Sequence, residues 1–294
     1  MEEGRIIKGI SGFYYVSLKD GLYECKGRGI LRKDKIKPLV GDWVTVSNLD
    51  AREKTGTLEK VLPRNNQLKR PEIANVDQVI IVISLKNPSP SLMLMDKIIV
   101  LAEDLGLKVI LCINKADLEP EDSSMIEEIK EIYKPAGYPL IFTSTKKEQG
   151  IDPLRKTLKG KVSVFSGPSG VGKSSLLNAI KPGLKLKTGE VSARIQRGKH
   201  TTRHTELILV GKDSWIADTP GFGNLDIDEI QPENLRFCFR EFLPYMENCK
   251  FTSCLHLKEP GCAVKAKVSS GTISQQRYDH YVQFMTTLNE KRRG

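Results

Sequence analysis

The ten residues Ser166-Gly167-Pro168-Ser169-Gly170-Val171-Gly172-Lys173-Ser174-Ser175 have the types and spacing of a phosphate-binding loop. Gly-x-x-x-x-Gly-Lys-Ser lets consecutive backbone N–H groups turn inward around phosphate oxygens, and a helix starting behind it adds the positive end of its dipole. Lys173 is spaced to reach β- and γ-phosphates, and the Ser174 hydroxyl to ligate Mg²⁺. The flanks fit: 162–165 is a short apolar run of strand type and 175–180 reads as a helix.

Base identity comes from a second motif that precedes the first in the chain. Asn114-Lys115-Ala116-Asp117 comes after the buried-type strand 108–113. An Asp carboxylate there can accept from guanine N1–H and the 2-amino group together, a donor pair that adenine lacks. The Asn amide can bond the other base edge, and the Lys stem can lie over the ring. After the next strand, Thr143-Ser144-Thr145 sits where a backbone N–H could receive guanine O6; a plain loop is the alternative.

Two further segments suit a hydrolytic switch. The stretch 181–203 carries seven basic residues and one acid without periodicity, and includes Gly198-Lys199-His200-Thr201-Thr202. A polar segment of that length reads as a functional loop, with Thr201 and Thr202 able to ligate Mg²⁺. Strands over 205–210 and 214–217 form a hairpin that ends in Asp218-Thr219-Pro220-Gly221. Asp218 would hold the Mg²⁺ shell and the Gly221 N–H would sense the γ-phosphate. Near the end, Cys249-x₄-Cys254-x-His256-x₅-Cys262 offers four soft ligands within fourteen residues, which fits a closed structural zinc site. A disulfide framework is the alternative in an oxidising compartment.

These motifs need positioning elements, and composition allows them. The chain has 294 residues, 39% hydrophobic and 28% charged, enough for two or three domains with real cores. A net charge of +10 points to a polyanionic partner. No apolar run approaches the ~18 residues of a membrane span, and the first residues lack a signal peptide's pattern, so a cytoplasmic chain is expected. Cys25, Cys112 and Cys238 read as packing residues.

Residues 1–66 predict a small β-barrel of OB-fold type, with strands at 13–18, 22–25, 29–31, 42–46 and 55–62. Its loop 26–37 holds Lys26, Arg28, Arg32, Lys33, Lys35 and Lys37 against one acid, Asp34; nucleic-acid contact and a solvated face are equally good readings. Residues 63–71 read as a linker. Strands over 76–83, 108–113 and 140–143 alternate with helices over 92–105, 125–133 and 151–158, which predicts a parallel sheet covered on both faces. The last helix, from about 274, places Tyr278, Tyr281, Met285 and Leu288 on one face as core, and ends in three basic residues. The expected fold class is therefore multidomain: barrel over 1–66, α/β P-loop unit over 67–224, and a small, mainly helical zinc-binding domain over 225–294.

The order of parts is unusual, because Asn114–Asp117 comes before the P-loop instead of after the switches. A site built from loops at one edge of a parallel sheet survives such circular permutation when the original ends lie close together. With barrel, permuted GTPase and Cys₃His cluster in this order, the whole chain resembles the ribosome small-subunit-dependent GTPase A family of bacteria. The resemblance implies GTP hydrolysis stimulated by the small ribosomal subunit, acting late in that subunit's maturation; slow hydrolysis alone is expected from Phe222, which stands where a Ras-like enzyme has its water-orienting Gln. It places guanine on Asn114, Lys115 and Asp117, phosphates on 167–175, and zinc on Cys249, Cys254, His256 and Cys262. The implied partners are GTP or GDP, the small subunit and its rRNA, with no membrane, and the protein is expected to be a monomer.

Catalysis carries over least. A Ras-like enzyme has a water-orienting Gln after Asp-x-x-Gly, and this chain has Phe222. His200 could orient the water, or be a solvated loop histidine. Some family members use a histidine shortly after switch II, but none lies between Gly221 and Leu255 here. Two other classes compete with a timed GTPase: an RNA-binding scaffold in which nucleotide is structural, and a P-loop ATPase or kinase, against which Asn114–Asp117 argues.

Overall fold

The computed structural model describes residues 1–29, 36–69, 71–118, 123–184, 205–218 and 226–292. The chain divides into two units. One takes Met1–Gln78, Lys156–Phe165 and the described part of Glu190–Phe222; the other takes Val79–Arg155 and the described parts of Ser166–Gly189 and Gly223–Gly294.

In the first unit, β1 (Glu2–Ile10), β2 (Phe13–Leu18), β3 (Gly21–Gly27), β4 (Trp43–Asp50) and β5 (Thr55–Val61) make an OB-like barrel. The ring closes because β1 pairs with both β2 and β4, β2 with β3, β3 in parallel with β5, and β5 with β4. Closure leaves no open edge among these strands. Ile6, Val16, Val44, Val46 and Leu58 are wholly buried inside, while their neighbours along the strands are half-buried or exposed, as a period of two requires.

Five strands were expected, but not all of these five. β1 replaces the expected strand 29–31: Gly29 lies outside every strand, and Ile30 and Leu31 fall outside the described residues. Glu2, Glu3, Arg5 and Lys8 make β1 look solvated along its length, although Gly4 and Ile6 face the interior.

The expected linker is more ordered than a linker. It contains β6 (Gln67–Lys69), which forms a hairpin with β7 (Glu72–Ala74) just beyond it. Arg64 grips the fully buried Asp42 with a two-pronged bond, Nε to Oδ1 at 2.6 Å and Nη2 to Oδ2 at 2.8 Å. The same unit contains β11 (Val162–Ser166), parallel to β13 (Ser214–Asp218), and β12 (Glu206–Gly211), antiparallel to β13 and paired with β1 at Lys8 and Glu206.

The second unit holds β8 (Gln78–Ser84), buried at every position, and β9 (Lys108–Asn114) running parallel to β10 (Leu140–Phe142). Between them run α1 (Leu92–Asp104) and α2 (Ser124–Tyr133), each started by a serine whose hydroxyl accepts a first-turn N–H. α3 (Ile151–Leu158) leads towards β11, and α4 (Lys173–Ile180) comes after the glycine loop. The C-terminal part has short helices α5 (Pro232–Leu235) and α6 (Leu243–Met246), then α7 (Ala263–Ser269) and α8 (Gln275–Lys291). Phe239, Phe242 and Tyr281 pack ring to ring, with centroids 5.1–5.2 Å apart, as its core. Among the described residues, no helix is long and apolar enough to cross a membrane.

Removing Arg64 would strand the Asp42 carboxylate without its cation in a water-free position. Arg64→Ala is expected to lower unfolding stability by about 3 kcal/mol in urea titration, whereas a surface change such as Lys60→Ala stays within about 0.5 kcal/mol.

Candidate functional site

The glycine loop and the base motif are joined through one side chain. Asn114, at the end of β9 and 1% exposed, donates from Nδ2 to the Val171 carbonyl at 2.8 Å. Its Oδ1 accepts from Thr143 Oγ1 at 3.0 Å, and that hydroxyl also touches Cys112 Sγ at 3.4 Å. Asn114 was expected to read a base edge; here much of its amide is engaged in tying the loops after β9 and β10 to the P-loop. Cys112 is a packing residue in the same cluster, its thiol pushed up to about 12 by burial.

The loop glycines are there for space as well as for backbone freedom. Gly167 has φ +137°, and a Cβ on it would sit 2.0 Å from the Val82 carbonyl oxygen. Gly172 has φ +94° and a Cβ there would meet Asn114 Nδ2 at 2.4 Å, so a side chain would break the tie just described. Gly172 is the N-cap of α4 and gives no side-chain cap, which leaves the first N–H groups of the helix for another acceptor. Lys173 Nζ donates to the Gly167 and Pro168 carbonyls at 2.7 Å each, across the mouth of the loop. Burial lowers its pKa. Ser174 is buried in the first turn of α4.

Asp117 is oriented by Ser144, whose hydroxyl donates to Oδ1 at 2.6 Å while accepting from the Lys147 N–H at 3.1 Å. Among the described residues no other hydrogen bond holds that carboxylate, so Oδ2 is left to accept from a ligand. Lys115 adopts φ +58° and its ammonium donates to the Asn87 carbonyl in the loop after β8. The backbone N–H of Thr143 is taken by Ile113 and that of Ser144 by Gln149, so among the described residues Thr145 is the one left of the three expected O6 donors. Asn87 was not legible as part of the site: no residue type or spacing marks it, and it enters through a carbonyl.

The cysteine cluster converges. Cys249, Cys254, His256 and Cys262 present ligand atoms within 4.8 Å of one another, with His256 Nδ1 3.4 Å from Cys262 Sγ and 3.7 Å from Cys249 Sγ. Bonds of about 2.3 Å to sulfur and 2.0 Å to nitrogen in a tetrahedron require edges of about 3.5–3.8 Å, which the two His256 distances match, so the donor set is compatible with zinc after a small contraction. Burial pushes the Cys254 thiol up to about 12 and the Cys262 thiol up as well. It lowers His256 to about 4, with the Arg236 charge adding to the effect. A neutral imidazole is the ligand form, and a divalent cation would reverse the cost of two buried thiolates. The Cys262 sulfur also accepts from the Lys265 N–H at the start of α7. No disulfide is formed among the six cysteines.

On the barrel, cations stack on rings: Arg5 lies 4.6 Å from the Trp43 centroid, with Trp43 42% exposed, and Lys26 5.2 Å from that of Phe13. Of the other basic residues expected to form a patch, Arg28 is paired with Glu59 and Lys37 with Glu72. Arg32, Lys33 and Lys35 lie outside the described residues, as do His200, Thr201, Thr202 and Gly221. Asp218 closes β13, and its side chain is likewise outside the description.

The chain is similar to known proteins along its whole length. The family model for the RsgA GTPase matches residues 61–228, and that for the RsgA N-terminal domain matches 3–57. A relative from Alkaliphilus metalliredigens, named small ribosomal subunit biogenesis GTPase RsgA, is 48% identical over all of both chains. One of the same name from Caldanaerobacter subterraneus is 46% identical, covering 98% of this chain and 96% of its own. The crystal structure of YjeQ from Thermotoga maritima superposes with a TM-score of 0.86 at 41% identity, over 98% of each chain. That of YloQ, described as a circularly permuted GTPase, gives 0.85 at 42%, over 99% of this chain and 96% of that one.

Ser144→Ala removes the bond that aims Asp117 and should weaken GDP binding about tenfold by calorimetry, with the melting temperature little changed. Cys254→Ala should abolish stoichiometric zinc by metal analysis and lower the melting temperature, because the remaining three ligands cannot close the shell.

Proposed function

The chain belongs to the RsgA GTPase family, a family of GTP-hydrolysing enzymes with a circularly permuted core, and from that membership we propose that it binds the small ribosomal subunit and hydrolyses GTP late in the subunit's maturation. We place guanine between Asp117, Lys115 and the Thr145 N–H. The phosphates belong on the backbone of 167–175 with Lys173 swung from the Gly167 and Pro168 carbonyls onto the β- and γ-oxygens. The observation that supports this reading is the Asn114 to Val171 bond, which ties the Asn-Lys-x-Asp segment to the glycine loop.

Mg²⁺ arrives with the nucleotide and supplies charge neutralisation at the γ-phosphate; Ser174 and Asp218, both hard oxygen donors, would hold it. Thr201 and Thr202 are further candidate Mg²⁺ ligands, and Gly221 would sense the γ-phosphate. Phe222 supplies no group to orient water, so hydrolysis is slow until His200 or a group from the subunit does so. Zinc on Cys249, Cys254, His256 and Cys262 is structural. The working domains are 1–66, 67–224 and 225–294, with the barrel's stacked cation–ring pairs suited to rRNA. The protein acts in the cytoplasm as a monomer.

Steady-state GTPase assays test this. Purified small subunits should raise the rate at least about tenfold over the intrinsic one, within the range that a supplied catalytic group gives, and large subunits should not. No stimulation, or equal stimulation by both subunits, contradicts it.

A further inference from the structure

A buried polar cluster in the second unit, unused by the nucleotide site, joins α8 to α1. Arg277, fully buried on α8, donates Nε and Nη2 to the Glu241 carboxylate at 2.7 and 3.0 Å. Its Nη1 donates to Asp96 Oδ1 on α1 at 2.7 Å. Tyr133 of α2 donates to that same oxygen at 2.7 Å, and His280 Nδ1 lies 2.5 Å from Asp96 Oδ2. Burial alone would raise the Asp96 carboxyl, but the Arg277 charge and these hydrogen bonds prevail and hold it below its ordinary value.

Each helix of this junction leads to a different site. Along α8, Tyr278 donates to the His256 carbonyl at 2.7 Å and Tyr281 to the Leu255 carbonyl, so the helix also holds the backbone of the cysteine–histidine segment. α1 grows out of loop 85–91, where the Asn87 carbonyl accepts from Lys115 Nζ. A Cβ on Gly170 would lie 3.5 Å from Pro88 Cδ, so the loop flanks the P-loop as well. Beside His280 the packing opens into a cavity of about 350 Å³, bounded by the start of α1, by Met125 and Ile129 of α2, and by Gln276 of α8.

We propose that Arg277 and Asp96 are positioning residues for the guanine site, acting through α1 and loop 85–91 on Lys115, so that guanine nucleotide and the order of α8 are reciprocally linked. This rests on the reading that Lys115 and Asp117 receive guanine. A guanidinium shared by two desolvated carboxylates is either fully paired or costly, because partial pairing leaves buried charge unmatched. Such a contact passes a shift of α1 on to α8 in a discrete step. By linkage, whatever factor nucleotide contributes to ordering α8, an ordered α8 returns to nucleotide affinity.

Hydrogen exchange measured by mass spectrometry on the full, zinc-loaded chain tests the link, with and without saturating GDP. In the wild type, GDP should slow exchange across 275–291 on the order of fivefold or more. In Arg277→Lys, which keeps the charge but loses the fork, the GDP effect should fall to about twofold or less, and GDP affinity should weaken by the matching factor. His280→Leu, at the cavity edge, should show the same loss in part and serves if Arg277→Lys fails to fold. A purely structural cluster would instead speed α8 exchange equally with and without GDP. That result, or α8 exchange indifferent to GDP in the wild type, overturns the proposal. Failure of the underlying guanine reading is seen separately, as ADP competing with GDP on equal terms.

Discussion

The hydrogen bond from Asn114 to the Val171 carbonyl joins two loops that the chain supplies 57 residues apart. Its geometry makes demands on both sides. Gly172 must lack a side chain, since a Cβ would fall on the Asn114 amide, and Gly167 must lack one to let the loop turn past Val82. Thr143 must hold the other end of the amide, which fixes the loop after β10 and brings Ser144 to Asp117. The Asn-Lys-x-Asp segment and the glycine loop are thus one packed unit whose parts could not be exchanged singly.

This explains why the order of motifs along the chain is free to vary. The site requires that loops leave the same ends of neighbouring strands, and that is a property of the sheet and not of chain order. The permuted order does change the destination of the switch hairpin: beyond β13 the chain runs directly into the segment that ends in the cysteine cluster and α8. A buried arginine on that last helix then returns to α1, one loop away from Lys115.

Features legible in the sequence are those whose chemistry is confined to a short window. The P-loop, Asn114–Asp117 and the four zinc-type ligands each need fixed types at fixed spacing, and the apolar runs of β8 and β9 are uninterrupted because both faces are covered. β1 was missed because its outward residues are charged and its inward set includes Gly4, so the alternation is thin. Arg64 with Asp42, and Arg277 with Asp96 and Glu241, are partners chosen by the fold across long stretches of chain, and no local pattern announces them. The role of Asn114 was half legible: its motif pointed to guanine, while its engagement with Val171 depends on a loop that sequence alone does not bring near.

The central claim is that Asp117, aimed by Ser144 beside this P-loop, selects guanine by accepting from two adjacent donors. Competition binding with GDP and xanthosine diphosphate on the wild type and Asp117→Asn tests it most directly. Xanthine carries a carbonyl where guanine has its amine, so an amide at this position should turn the preference from GDP to xanthosine diphosphate by at least about tenfold. An Asp117→Asn protein that still prefers GDP as the wild type does would contradict the account.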